Sequence, residues 1–225
     1  MQNSISKSFG AFALGAAVFI SAQALASQNT KKDTGHTHKH SHSKSHGKSD
    51  AYRGYFKDED IKPRPLTDWQ GEWQSIYPYL KDGTLDPVME EKAAHGDKSA
   101  DEYRAYYETG YKTDVFRIDI NHGDVSFHEE GHVHQGSYVA DGTETLTYKK
   151  GNRGVRYIFK KVSGDAEAPV FIQFSDHKIA PAPSDHFHLY WGNDRAELLN
   201  EVTNWPTYFP ASLTGQQIVE EMLAH

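Results

Sequence analysis

From Thr113 onward, apolar residues fall at every second position. Phe116, Ile118 and Ile120 alternate with polar neighbours, and the turn sequence NHGD leads into Val125-Ser126-Phe127. Period-two alternation places successive side chains on opposite faces and predicts half-buried strands. Residues 137–140, 143–148, 155–160, 170–174 and 186–191 repeat the pattern, separated by turn sequences such as ADGT and KKGNRG. Seven or so short strands joined this way predict a meandering antiparallel sheet that closes into a barrel.

Upstream the period is helical. TDWQGEWQSIYPYL carries Trp69, Trp73, Ile76 and Leu80 at helix-like spacing, although Pro78 is at odds with one continuous helix. LDPVMEEKAAH offers Asp86 as N-cap and Pro87 at the first helical position. SADEYRAYYETG pairs Ser99 with Glu102 at capping-box spacing, sets Tyr103, Tyr106 and Tyr107 on one face, and has Gly110 as a stop. After the strands, DRAELLNEV predicts a helix and WPTYFP an irregular aromatic stretch. TGQQIVEEMLAH repeats the capping-box spacing with Thr214 and Gln217, above a stripe of Ile218, Val219, Met222 and Leu223.

The folded part is expected over residues 66–225, as one domain with a single core. Residues 1–26 have the form of a secretory signal: Lys7, a short apolar run from Phe9 to Ile20, and Ala24-Leu25-Ala26 before cleavage after Ala26. That run is too short to span a bilayer, and no cysteine follows it to carry a lipid, so no membrane anchor is expected. Export to the periplasm is the expectation. Removing one lysine and no acid takes the net charge from -7 to about -8, which argues against nucleic acid as a partner. With no cysteine in an exported chain, stability rests on packing, to which 13 Tyr, 11 Phe and 4 Trp contribute. Residues 27–65 are expected to be His-rich and largely disordered. Within them His36, His38, His40, His42 and His46 form a tract suited to collecting divalent metal ions.

The main chemical signal is FSDHKIAPAPSDHFHLYWG, where His177, His186 and His188 are spaced H-x8-H-x-H. Residues i and i+2 of a strand share a face, so His186 and His188 project together while Phe187 points away. The proline-stiffened KIAPAPSD connection can return His177 to that pair. Three imidazoles suit Zn(2+), and also Ni(2+), Cu(2+) or Co(2+). Asp176, Asp185 and Asp194 are candidates for orienting the rings. Three ligands leave a fourth position open, which fits either metal release or a zinc hydrolase or lyase using metal-bound hydroxide. For the enzyme, Asp185 and Glu197 are nominated as base only by sequence proximity, and neither H-E-x-x-H nor G-x-S-x-G occurs. A third reading is a barrel that carries an apolar ligand. HEEGHVH adds His128, His132 and His134 as auxiliary candidates, and His225 is a weaker one. His95 and His122, alone beside turn glycines, read as ordinary surface residues.

Several stretches together carry a resemblance: DWQGEWQSIYPYLKDGTLDPV, ETGYKTDV, LTYKKGNRGVRYIF, IQFSDHKIAP, SDHFHLYWGND, LLNEVTNWPTYFP and VEEMLAH. In this order, from Leu66 to His225, they resemble the ZinT (YodA) family of periplasmic zinc- and cadmium-binding proteins. The resemblance implies a mainly β fold, a lipocalin-like (calycin) antiparallel β-barrel with a small attached helical part, opened by Gly71-x-Trp73. It implies a metal, Zn(2+) or Cd(2+), buried at one barrel mouth on His177, His186 and His188, in a protein that is not an enzyme. It also implies hand-off of zinc to the solute-binding protein of a zinc ABC transporter. Compared family members carry a cysteine pair near the positions of Gly136 and Lys161, which this chain lacks.

Overall fold

The alternating segments become the wall of a closed eight-stranded antiparallel barrel in which each strand pairs with its sequence neighbours and β8 returns to β1. The computed structural model describes residues 50–200 and 203–224; the signal-like segment, the His36–His46 tract and His225 lie outside the described residues. The strands are β1 (Gly71–Ser75), β2 (Arg117–Asn121), β3 (Asp124–Glu129), β4 (His132–Thr147), β5 (Arg153–Gly164), β6 (Phe171–Ser175), β7 (Phe187–Gly192) and β8 (Thr207–Pro210). The helices are α1 (Tyr77–Lys81), α2 (Asp86–His95), α3 (Ala100–Tyr111), α4 (Arg195–Asn200) and α5 (Gly215–Leu223). Among the described residues no helix is long and apolar enough to cross a membrane.

Two cores result. Inward-facing residues of the strands, among them Trp73, Ile118, Phe127, Tyr157, Phe174, Phe187 and Tyr208, fill the lumen together with Trp69 from the preceding turn. Aromatic edges and faces interlock there: Trp69 stacks on Phe174 at 4.7 Å and Phe187 meets Trp73 at 4.7 Å. The second core lies outside the wall, where Leu80, Val88, Met89, Tyr107, Tyr111, Ile218 and Val219 of the helices pack with Ile76 and Phe209. Both predicted capping boxes form, Ser99 with Glu102 and Thr214 with Gln217.

Several expectations change. TDWQGEWQSIYPYL is a turn at Leu66–Trp69, then β1, then α1, with Pro78 in the first turn of a helix where its missing N–H costs nothing. ADGT is not a turn between two strands. It is an irregularity within β4, whose register with β5 shifts between Ala140 and Thr143. TYFP is a strand that closes the barrel. Leu223 stands exposed beside the buried stripe of α5. The folded unit also begins before Leu66: Phe56 and Ile61 pack on the lumen cluster, and Arg64 is buried. Gly54 (φ +85°) lies so close to Arg153 that a Cβ would fall 2.5 Å from its carbonyl oxygen. Without the cysteine pair, β4 and β5 hold together through their own ladder, Tyr138 facing Lys161.

Gly110 does not stop α3, which continues to Tyr111. Its role is space: a Cβ there would meet the Trp205 ring at 2.3–2.8 Å. Gly110→Ala should therefore displace Trp205 and lower stability by about 1–3 kcal/mol, measured by urea denaturation.

Candidate metal centre

At the end of β6 the chain must leave the sheet. Ser175 is the last paired residue, facing His188. Asp176 is buried in an ion pair with Arg64, and His177 adopts a left-handed backbone (φ 63°) that a residue other than glycine rarely takes. The connection then lies against the upstream segment, with Lys62 N–H donating to Ile179 O (2.8 Å), Ala182 N–H to Asp68 Oδ2 (2.9 Å) and Ser184 N–H to Asp68 O (2.8 Å). It returns through His186 into β7.

The three rings gather as a triangle with centres 6.0, 6.0 and 6.3 Å apart. Tetrahedral zinc at Zn–N of 2.0–2.1 Å would need ring centres about 5 Å apart, so each pair would have to close by about 1 Å to hold an ion. As they stand, no three His, Asp or Glu side chains among the described residues are already at metal-holding distance. The donor set and its convergence fit zinc. Phe187 and Leu189 enter the lumen, so alternation places His188 on the opposite, outer face of the wall. The three rings thus lie at one end of the barrel, outside its filled lumen and against the helical core.

Each ring has its own support. His188 Nδ1 is 2.8 Å from Thr207 Oγ1, and that hydroxyl also lies 2.9 Å from Trp205 O. A hydroxyl has one proton; donated to the carbonyl, it leaves Oγ1 to accept from His188 Nδ1–H. The tautomer so fixed presents the lone pair of Nε2 to a metal. His186 stacks on Phe209 (5.0 Å, 10° between planes) and His177 on Tyr52 (4.7 Å, 25°). Burial, then the neighbouring His177 and Arg156, push the His188 pKa down to about 3, which keeps the ring neutral and ready to ligate at neutral pH.

The carboxylates nominated from sequence are paired elsewhere, with Asp176 Oδ2 left buried and without a hydrogen-bond partner among the described residues. Asp176 pairs with Arg64, Asp185 with Lys178 (2.8 Å), and Asp194 caps α4 through Ala196 N–H and Glu197 N–H. Glu197 is exposed at the start of that helix. Thr207, Phe209, Tyr52 and Arg64 were not found from sequence. The only available signal was in TYFP, where Thr207 and Phe209 are spaced like the two histidines of HFH.

HEEGHVH forms the β3–β4 hairpin and divides its histidines. Glu129 faces His132 and Phe127 faces His134, while His128 faces Val133 on the other side of the sheet. His132 and His134 lie parallel, with ring centres 6.3 Å apart. His128 instead sits 2.8 Å from Asp119. His122 contacts Asn121, and His95 contacts Glu91.

Two predictions come from this geometry. His188 has a folded pKa below its ordinary 6.5, so as pH falls through 6.5 the unfolded chain takes up a proton that the folded one refuses. Its contribution is constant above about pH 6.5 and is lost progressively toward pH 3. At pH 5 the metal-free protein should lose on the order of 2 kcal/mol relative to pH 7.5 through this group. Urea denaturation at both values should show the loss, reduced in His188→Gln. Thr207→Val keeps the side-chain shape but removes the acceptor, and should weaken metal binding about 10–100-fold with little change in fold, measured by chelator competition.

Comparison with known proteins points the same way as the geometry. Residues 47–225 match the family described as ZinT (YodA) periplasmic lipocalin-like zinc-recruitment. The chain is 54% identical over 175 residues to the probable metal-binding protein YrpE of Bacillus subtilis (strain 168), covering 77% of this chain and 70% of that protein. It is 50% identical over 180 residues to the zinc-binding protein AdcA of Streptococcus pyogenes serotype M1; this covers 78% of the chain but 35% of AdcA, so the chain corresponds to only part of that relative. The crystal structure of the Zn(II)-bound ZinT-like domain of Streptococcus pneumoniae AdcA superposes with a TM-score of 0.75 at 46% identity, over 77% of this chain and 97% of that domain. With this match spanning most of its length, the chain belongs to the ZinT (YodA) family of periplasmic lipocalin-like zinc-recruitment proteins.

Proposed function

We propose that this protein captures zinc in the periplasm on His177, His186 and His188 and passes it to the solute-binding protein of a zinc ABC transporter. The observation that carries the reading is the Thr207–His188 hydrogen bond, which commits one imidazole nitrogen and leaves the other as the acceptor, in a ring whose centre lies 6.0 and 6.3 Å from those of His177 and His186. A three-ligand site leaves a position that an acceptor's own ligand can enter, so metal can move without first being released to water. Cadmium, nickel, copper and cobalt suit the same imidazoles and are the competing ions. The His36–His46 tract, just upstream of the folded unit, serves as a weaker collector.

Hydrolase or lyase chemistry needs a base beside the metal. The sequence nominates Asp185, which is paired with Lys178, and Glu197, exposed at the start of α4. The apolar-carrier reading needs a lumen with room, and this lumen is packed with Trp69, Trp73, Phe174, Phe187 and Tyr208. Both readings therefore give way to metal transfer.

The test is zinc titration with chelator competition on the mature protein, on a His186→Ala/His188→Ala variant, and on a variant lacking residues 27–49. The double variant should lose the tightest site by more than the roughly 10–100-fold expected for disturbing a ligand's hydrogen-bond partner. The deletion should lower stoichiometry alone. Zinc-loaded protein mixed with the metal-free solute-binding protein should transfer its metal faster than zinc dissociates into chelator. Undiminished tight binding by the double variant would overturn the reading.

A further inference from the structure

Arg64 is buried at the barrel end, its side chain fully enclosed between the proline pair Pro63 and Pro65 in sequence and the metal-bearing loop in space. Its guanidinium donates in several directions at once: Nη1 to Asp176 Oδ1 (2.6 Å), Nε to Asp68 Oδ2 (2.8 Å) and Nη2 to Ala182 O (2.7 Å), with Lys178 O at 3.5 Å from Nη1. Asp176 and Lys178 are the residues immediately before and after His177. Ala182 is midway along the connection, and its N–H is held by the same Asp68 that Arg64 grips. Behind the guanidinium lie the rings of Trp69 (4.1 Å) and Tyr157 (5.1 Å), both part of the lumen core.

We infer that Arg64, with Asp68 and Asp176, is a positioning residue for zinc: it holds His177 in its left-handed conformation and ties the ligand loop to the rigid lumen. This rests on the proposed role of the three histidines. A buried ion pair is a poor source of stability, because desolvation offsets most of the attraction. Its geometric value is greater. A planar fork with five donors can fix three acceptors on two chain segments at once, whereas the single ammonium of a lysine cannot reproduce those directions. The strained backbone at His177 sits where the fork holds the residue on each side, and such conformations persist only where their surroundings over-determine them.

The experiment compares full-length wild type with Arg64→Lys, with the charge-free double variant Arg64→Met/Asp176→Leu, with Leu80→Ala in the helical core, and with His186→Ala/His188→Ala. Zinc affinity is read by chelator competition. Coordination is read from the visible absorption of bound cobalt(II), which is intense at four-coordinate sites and weak at six-coordinate ones. Arg64→Lys should keep the wild-type circular dichroism but bind zinc about tenfold or more weakly, with reduced or shifted cobalt bands. The double variant should behave likewise, even if it is as stable as wild type. Leu80→Ala should lose stability and leave both metal readouts unchanged.

Wild-type affinity and an unchanged cobalt spectrum in both Arg64 variants would overturn the inference. So would an equal loss in Leu80→Ala, which would assign the effect to stability. Should Arg64→Lys fail to fold, Asp68→Asn, which loosens the Nε and Ala182 contacts alone, is judged by the same two outcomes. Tight zinc binding retained in His186→Ala/His188→Ala would instead count against the three-histidine site, so the two failures are distinguishable.

Discussion

The site depends on one constraint, the period of two along β7. Phe187 and Leu189 are wholly buried in the lumen, and His188 between them is turned outward. A slip of one residue against β6 or β8 would drive an imidazole into an aromatic core and expose two fully buried apolar residues, so the register that builds the core also aims His188 outward. The pairs Phe174–Leu189 and Ser175–His188 record this division: one pair faces the lumen and the next faces the site.

β8 repeats the arrangement. Tyr208 stacks on Phe187 inside the barrel at 5.6 Å, while Thr207 binds His188 and Phe209 stacks on His186 outside. Phe209 also belongs to the helical core, so His186 rests on a residue clamped between wall and helices. The site lies where two cores meet, and each contributes a buttress. This accounts for placement outside the lumen: the interior is closed by aromatic packing, whereas the seam between barrel and helices shelters polar groups beside β7.

The sequence revealed most of the barrel because most strands have one face in the core and one in water, which writes alternation into the chain. The pattern hid two strands: β1, whose Trp73 falls at helical spacing with Trp69, Ile76 and Leu80, and β8, since Thr207, Tyr208 and Phe209 are all buried, one face by the lumen and the other by the helices and the site. Proline at both flanks, Pro206 and Pro210, deepened the disguise. β4 was read as two strands because the glycine of ADGT, Gly142 (φ +98°), bends a continuous strand as readily as it ends one. That the three histidines gather was legible from their spacing. Their supports were not, because Arg64, Thr207 and Tyr52 lie far from them in sequence and act through tertiary contacts. The same limit explains HEEGHVH, where the pleat separates His128 from His132 and His134.

The supports of the three histidines are unequal, and the inequality bears on the metal transfer proposed for them. His188 is locked by a hydrogen bond whose polarity is set by a further carbonyl, and His186 by parallel stacking against core. His177 is exposed, carries a strained backbone, and is faced by Tyr52 from the segment that enters the fold. Two rigid ligands give a metal a defined place to arrive. A third whose geometry is held by loop contacts, rather than by the sheet, can open with a local movement that leaves the barrel intact, because the wall ends at Ser175 and nothing in the ladder depends on His177. Local openings of this kind require far less free energy than global unfolding. A ligand held by the Arg64 contacts and not by the sheet can be released by breaking those contacts alone, which suits a site that receives and surrenders its ion.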